Sequence, residues 1–478
     1  MVFNSPVFLF LFLPATIAVY FIVPKKLRGI RNFILLAASL GFYFYGEPKA
    51  IFLLLVSVTG NYLFALAIGV FRAGDVVDAV PRKSGAGVRR LFLIIAVVFN
   101  LCILGYFKYA GFFVANINAV AGTAFNIPDI ALPLGISFFT FQGLSYVFDV
   151  YKRKVAANKN FFAVALYMTM FPSLISGPIA RFGDILPQII NRDESVDKAS
   201  AGIRRFIFGM AKKVLVADVI GALTAELLSV SSLGTADAWL GAAAYTLQIF
   251  LDFSGYSDMA IGMAQIFGFK LPENFDYPYT ARSVTEFWRR WHMSLSSWFR
   301  DYVYIPLGGN RRGLLRQLLN IAVVWALTGL WHGAAWNFVL WGLYFALLLA
   351  LEKLFLGKLL EKLPRFVGHL WSLLAIVVGW VIFSAPSVAA AFSWLGAMFT
   401  PIIGASSGAR ALFLLGEYKL ELIAGVIISL PFAKFIAGRW GSCPWYMLAR
   451  DISVCVLFLL CIARVAASTF VPFMYFKF

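Results

Sequence analysis

Apolar runs close to 20 residues long recur along this chain and constrain its fold more than any other feature. IFLLLVSVTGNYLFALAIGVF, over 51–71, is one of them. A helix needs about 20 mostly apolar residues to cross the roughly 30 Å hydrocarbon core of a bilayer. Segments of this kind lie near 6–23, 33–46, 50–71, 91–109, 161–177, 236–252, 317–331, 335–355, 369–385, 419–437 and 449–470. Of the 478 residues, 61% are hydrophobic and 13% charged. A soluble fold cannot hide so much apolar surface, which excludes soluble enzymes, disordered chains and secreted disulfide scaffolds. Lipid leaves only helices or a closed barrel, because every backbone polar group must be satisfied internally. Barrel strands alternate polar and apolar residues, and these runs do not. The sequence predicts an all-α, polytopic transmembrane bundle of about 10–12 helices, one integral-membrane domain over 1–478 with no soluble domain.

Other segments depart from this pattern. Residues 131–150 are polar at SFFTFQGLSY and predict a broken or re-entrant helix. Residues 206–228 carry Lys212, Lys213 and Asp218, which fits a helix lying partly in the inner interface. FPSLISGPIARF (171–182) holds two prolines and a glycine that should break a helix. LDFSGYSDMAIGMAQIFGF (251–269) sets Asp252, Ser254, Ser257 and Asp258 beside apolar runs. Both read as kinks lining a polar interior, where irregular backbone is tolerated at membrane depth.

The chain has 41 basic and 23 acidic residues, a formal charge of +18. Nucleic acid is not needed to explain this, since cytoplasmic loops of membrane proteins are rich in Lys and Arg. The clusters at 24–32, 72–90, 152–159, 181–213 and 282–316 are assigned to the cytoplasm on that rule. No basic residue precedes the first apolar stretch, whereas Lys25, Lys26, Arg28 and Arg31 follow it. That predicts an uncleaved first helix with its N-terminus outside. Cys102, Cys455 and Cys461 sit in apolar runs and Cys443 in a short loop. They read as core filler rather than a disulfide framework.

Chemistry concentrates in two segments. In SVTEFWRRWHMSLSSWFRDYVYIPLGGNRRG (283–313), Ser283 and Glu286 form a capping box that should start a helix. On that helix His292 would share a face with Trp288, Ser296 and Phe299, with Arg289 and Met293 on either side. Either this is an interfacial amphipathic helix with a packing His, or the imidazole is functional. Every Lys-or-Arg position from 283 to 316 is arginine: 289, 290, 300, 311, 312 and 316. Guanidinium groups grip phosphate bidentately, and the GGNRRG turn offers amides for an anion nest. The cluster satisfies the positive-inside rule, or it forms an entrance for a phosphorylated donor bound by Arg289, Arg290, Arg311 and Arg312.

The second segment is LTGLWHGAAWNFVLWGLYFALLL (327–349), where His332 follows Trp331 between Gly329 and Gly333. An ionisable side chain inside the membrane is a functional candidate, and histidine is a natural general base near neutral pH. The glycines would let a substrate or another backbone approach closely. The structural alternative is a buried His bonded to a neighbouring helix. His369, at a helix start, reads as a surface or interface residue. Trp331, Asn337, Ser296, Asp252 and Asp258 are candidates for lining a polar interior. There is no P-loop, HExxH helix, CxxC pair or nucleotide fingerprint, and no metal site is expected.

These residues resemble a known family. EFWRRWHMSLSSWFRDYVYIPLGGNRRG (286–313) followed by GLWHGAAWNFVLWG (329–342) resembles the signature of membrane-bound O-acyltransferases (MBOAT), in their bacterial alginate O-acetylation branch. Further likeness runs through 1–14, 104–113, 132–152, 176–182 and 251–279, so that it covers at least 1–385. One departure is Ser173, where branch members often carry His. The resemblance implies about eleven helices around a central pore or tunnel, with a catalytic core at about 131–345 in a bacterial inner membrane. It implies His332 as the catalytic residue and His292 as its partner near the cytoplasmic side. The implied reaction moves an acyl group from a cytoplasmic thioester, acetyl-CoA or an acylated carrier protein, towards an acceptor outside, with no permanently bound cofactor. A periplasmic SGNH-type acetyltransferase is the implied partner, and a polysaccharide the acceptor: alginate, cellulose, peptidoglycan or another glycan. His332 would act as base or be acylated itself. D-alanine transfer to teichoic acid, long-chain transfer to lipid or protein, and a proton-relaying transporter are the alternatives.

Overall fold

The computed structural model describes residues 2–70, 85–229, 233–400, 405–467 and 473–474. Residues 72–84 of the basic cluster at 72–90, and 468–470 of the last apolar segment, lie outside the described residues. The described chain is helical, with one isolated β-bridge between Phe275 and Trp291. Six of the described helices are long and apolar enough to cross a membrane, and two bent pairs raise that to eight. Other foreseen elements are shorter or more polar. Thr235–Ile266, for example, runs for 32 residues but carries Asp252 and Asp258. The protein is a multi-pass membrane protein, and it packs as two compact units.

The first unit comprises Met1–Ile203 and Ala260–Pro272. Phe8–Ile22 and Lys25–Gly46 meet at 110°, with Pro24 in the corner where no helical N–H is required. Ile51–Val70 packs against Gly85–Leu104 and Ile136–Tyr151. Asn61 and Asn100, both buried, exchange amide hydrogen bonds of 2.9 and 3.1 Å. Gly143 makes room for that pair, since a Cβ there would stand 2.5 Å from Asn61 Nδ2. The segment expected to be broken at 131–150 is instead one continuous helix, Ile136–Tyr151, with all but Phe148 and Tyr151 buried. Its polar residues face protein, so they need no break in the backbone. The break foreseen in 171–182 is present: a single turn, Phe171–Leu174, precedes non-helical backbone at 175–181.

The second unit comprises Arg204–Met259 and Glu273–Phe478. The helix ending at Ala211 continues through a π-helical turn, Lys212–Ala217, into Asp218–Leu228. Lys213 is buried there, 2.5 Å from Asp218 and 2.6 Å from Asp252. The interfacial helix expected at 206–228 is thus corrected at this residue, whose charge meets two carboxylates instead of headgroups. Leu314–His332 packs along Trp336–Leu351, and that helix packs on Arg365–Ser384. Val388–Phe399 and Ala405–Glu417 are helices that the apolar runs did not mark. Of the four cysteines only Cys461 is buried; Cys102 and Cys455 are exposed, which corrects their reading as core filler.

Candidate functional site

The site is built around an interrupted helix. Ser283 Oγ accepts the Glu286 N–H at 3.0 Å, so Val284–Arg290 starts where the capping residues place it. A second cap comes from Glu352, a buried carboxylate that accepts the N–H groups of Val284 (2.7 Å) and Thr285 (2.9 Å) and the Thr285 hydroxyl (2.6 Å). The helix then stops. Trp291 is extended and His292 adopts φ +44°, a left-handed conformation costly for a side chain bearing Cβ. The neighbouring strand-like segment holds it: Asp276 N–H donates to Arg290 C=O and Met293 N–H to Asn274 C=O, each at 3.0 Å. The single helical face expected to join His292 with Trp288, Ser296 and Phe299 is therefore corrected. A second short helix, Met293–Phe299, begins after His292.

The break delivers His292 to a buried polar contact. Asn274 Oδ1 lies 3.0 Å from His292 Nδ1, and also accepts the Ser294 N–H (3.3 Å) and hydroxyl (2.9 Å). A backbone N–H can only donate, so the Asn274 atom facing these groups is the oxygen. His292 Nδ1 must then carry the proton, leaving the lone pair on Nε2. The Asn274 Nδ2 donates to Ser257 Oγ at 3.1 Å. Phe253 stands edge-on to the imidazole with centroids 4.8 Å apart. Burial pushes the His292 pKa down to about 3, which keeps the ring neutral.

His332 is the last residue of Leu314–His332. Its depth is set by backbone contact between this helix and the next. A Cβ on Gly329 would meet Phe338 O at 2.3 Å, and one on Gly342 would meet Trp325 O at 2.4 Å. The glycines thus admit another backbone. The His332 ring is buried among Trp331, Trp341 and Phe383, with centroids 4.9, 5.0 and 5.1 Å away.

Both imidazoles border one cavity of about 230 Å³, whose wall also includes Ser296, Trp288, Trp325 and Thr328. It shares Thr285, Arg289, Arg300, Tyr304 and Leu349 with an outer chamber of about 670 Å³. Arg311, Arg312 and Lys353 complete a strongly basic outer wall. Three amides of the GGNRRG turn are already committed, since Gly308, Gly309 and Arg311 N–H donate to Ile305, Tyr304 and Gly308 C=O. The side chains of Arg289, Arg300, Arg311, Arg312 and Lys353 supply the positive charge of this wall.

Not every candidate reaches this place. Arg290 does not border either chamber; its guanidinium donates to Glu286 (2.6 Å) and Thr280 (3.1 Å). Of the candidates for lining the interior, Ser296 borders the inner chamber. Trp331 packs on both imidazoles, 6.1 Å from His292. Asn337 donates to the carbonyls of Phe383 and Ala385. Asp252 is paired with Lys213, and Asp258 with Lys212 and Arg205. His369 Nδ1 faces Ala281 O at 3.2 Å. Among the described residues no group of three His, Cys, Asp or Glu could hold a metal. The sequence did not mark Asn274 or Glu352, nor the lining residues Thr285, Tyr304, Trp325, Thr328 and Lys353.

The sequence profile of the membrane-bound O-acyltransferase family matches residues 157–394. A probable alginate O-acetylase of Azotobacter vinelandii is 37% identical over 519 aligned positions, covering all of both chains. The chain belongs to the membrane-bound O-acyltransferase family. A second probable alginate O-acetylase, from Pseudomonas aeruginosa, is 42% identical over 84% of this chain and 75% of its own. A peptidoglycan O-acetyltransferase of Helicobacter pylori is 33% identical over 83% and 80%. As an MBOAT protein with several membrane-crossing helices, this chain is a membrane O-acyltransferase. The MBOAT match spans both His292 and His332.

Proposed function

We propose that this enzyme transfers an acetyl group from a cytoplasmic thioester to an extracytoplasmic polysaccharide, with His332 as general base. The observation that carries the reading is the adjacency of the two chambers, which have five lining residues in common. A basic outer chamber of about 670 Å³ falls within the roughly 300–1,000 Å³ of small-molecule sites and suits a phosphate-bearing donor. The inner chamber of about 230 Å³, bordered by both imidazoles, suits a small acyl group rather than a long chain. The relatives from Azotobacter, Pseudomonas and Helicobacter are named for O-acetylation of alginate or peptidoglycan, which favours acetyl over D-alanyl or long-chain transfer.

The donor, acetyl-CoA or an acetylated carrier protein, docks with its phosphates on Arg289, Arg311 and Arg312 and its thioester towards the histidines. His332 takes the proton of an acceptor hydroxyl as that oxygen attacks the thioester carbonyl. The carbon–sulfur bond breaks, and the thiolate leaves with a proton returned to it. Neutral His292, its Nδ1 proton directed at Asn274, borders the same cavity and orients the acceptor hydroxyl. The first acceptor hydroxyl is presented by a periplasmic SGNH-type acetyltransferase, which receives the acetyl as an ester and passes it on to a glycan hydroxyl. The positive-inside rule puts the arginine chamber on the cytoplasmic side of a bacterial inner membrane, and the N-terminus outside.

The test is direct. Purified protein in lipid nanodiscs is given radiolabelled acetyl-CoA, or acetylated carrier protein, with the glycan and the partner enzyme. Label on the glycan or partner that depends on His332 is expected. Absence of acetyl transfer from both donors, or transfer of D-alanine or a long chain instead, would overturn the proposal.

A further inference from the structure

Arg205 lies outside both chambers, yet it grips the two segments that hold His292. Its helix packs backbone to backbone on Thr235–Ile266, because Gly209 and Gly255 oppose each other; a Cβ on Gly209 would meet Gly255 O at 2.5 Å. One turn before Gly209, Arg205 Nε donates to Asp258 Oδ1 at 2.9 Å. Its two terminal nitrogens donate to the two oxygens of Glu273, at 2.7 and 2.5 Å. Lys212 binds the other Asp258 oxygen at 2.6 Å. Asp258 follows Ser257 in sequence, and Glu273 precedes Asn274. Ser257 and Asn274 are bonded to each other, and Asn274 is bonded to His292.

We infer that Arg205 is a positioning residue for His292, clamping Asp258 and Glu273 so that Ser257 and Asn274 keep their register. This inference rests on the acyl-transfer role proposed for the cavity. A forked guanidinium fixes both direction and distance between two carboxylates, which the point charge of lysine does not. Three consequences follow from the geometry. Loss of the clamp acts through Asn274, so it affects turnover rather than donor binding. It does not add to loss of Asn274 itself. It also loosens the packing around the His292 ring.

The experiment is a double-mutant cycle on full-length protein in nanodiscs, with monodispersity and melting temperature recorded for each variant. Arg205→Ala should lower kcat about tenfold with donor KM within about twofold, and Arg205→Lys should recover only part of the loss. In the Asn274→Ala background, Arg205→Ala should cost less than about twofold more, because residues in one network are not additive. Glu273→Gln, at a half-exposed position, repeats the test if Arg205→Ala does not fold. A second readout does not need acetyl transfer: carbethoxylation of His292 by diethyl pyrocarbonate, followed by mass spectrometry, should accelerate in Arg205→Ala and Asn274→Ala alike. Additive kcat losses, a rise in KM alone, or unchanged His292 reactivity would overturn the clamp. Wild-type protein that fails to transfer acetyl, with the expected His292 reactivity, would overturn the functional proposal and leave the clamp standing.

Discussion

Asn274 Oδ1 faces His292 Nδ1 at 3.0 Å while accepting the Ser294 N–H, so one side-chain oxygen fixes where the imidazole proton sits. The contact exists because the helix breaks at His292, turning the ring towards a residue 18 positions earlier. The site then has one His on a kink and one at the end of a spanning helix, both bordering the same small cavity.

His332 ends a membrane-crossing helix, and removing its ring leaves the backbone contacts at Gly329 and Gly342 in place. His332→Ala should therefore insert and fold while losing about 10²–10⁴-fold in acyl transfer, the usual contribution of a general base. Transfer of labelled acetyl, compared with expression level and monodispersity, checks this. Full activity in the variant would remove His332 from the chemistry.

The pH dependence of stability follows from His292. Burial holds its pKa near 3, below the value of about 6.5 in an unfolded chain. Between these values the unfolded chain binds the extra proton, so unfolding becomes easier as pH falls. Stability from this group is complete above about pH 6.5 and declines below it by up to about 1.4 kcal/mol per pH unit. Melting temperature in detergent should fall on acidification from pH 7 to 5. His292→Gln should flatten that decline; an unchanged slope would contradict the assignment.

Gly329→Ala puts a methyl group 2.3 Å from a carbonyl oxygen, closer than atoms can pack. The two helices must separate, at a cost of about 1–3 kcal/mol for an overpacked contact. His332 moves with its helix. A lower melting temperature together with reduced kcat is expected. An alanine at Gly396, where nothing lies within 4 Å of a new Cβ, is the control and should leave both unchanged.

Arg311 and Arg312 border the outer chamber, whereas Arg290 is held by Glu286 and Thr280. The double variant Arg311→Ala/Arg312→Ala should raise donor KM about tenfold with little change in kcat, since it removes binding shared by ground and transition states. The wild-type KM should rise with salt more steeply than that of the variant. Arg290→Ala should leave KM within about twofold and lower thermal stability instead. Equal KM effects at the three positions would refute the distinction.

Much of this was legible in the residues. The hydropathy runs gave the membrane class, and the two histidine motifs named both imidazoles that border the cavity. Local patterns worked where local physics decides, as at the Ser283 cap and the 171–182 break. They failed where a distant segment intervenes. Helical periodicity carried the helix through His292, because the backbone bonds from Asn274 and Asp276 that stop it come from another part of the chain. Polar residues in 131–150 suggest a break, yet they are buried within the protein and the backbone stays regular. Asn274 and Glu352 carry no local mark, because the groups they bind are 18 and more than 60 residues away. Arg290 shows the converse: composition grouped it with its neighbours, and one i,i+4 pair with Glu286 turned it elsewhere.

The cap from Glu352 ties together parts of the molecule that would otherwise be independent. Its carboxylate sits just beyond the helix that places Trp341 beside His332, and it binds Thr285, which borders both chambers. Removing this one carboxylate should therefore be felt in two places together, at the chamber rim beside Thr285 and at the indole that Trp341 sets against the His332 ring.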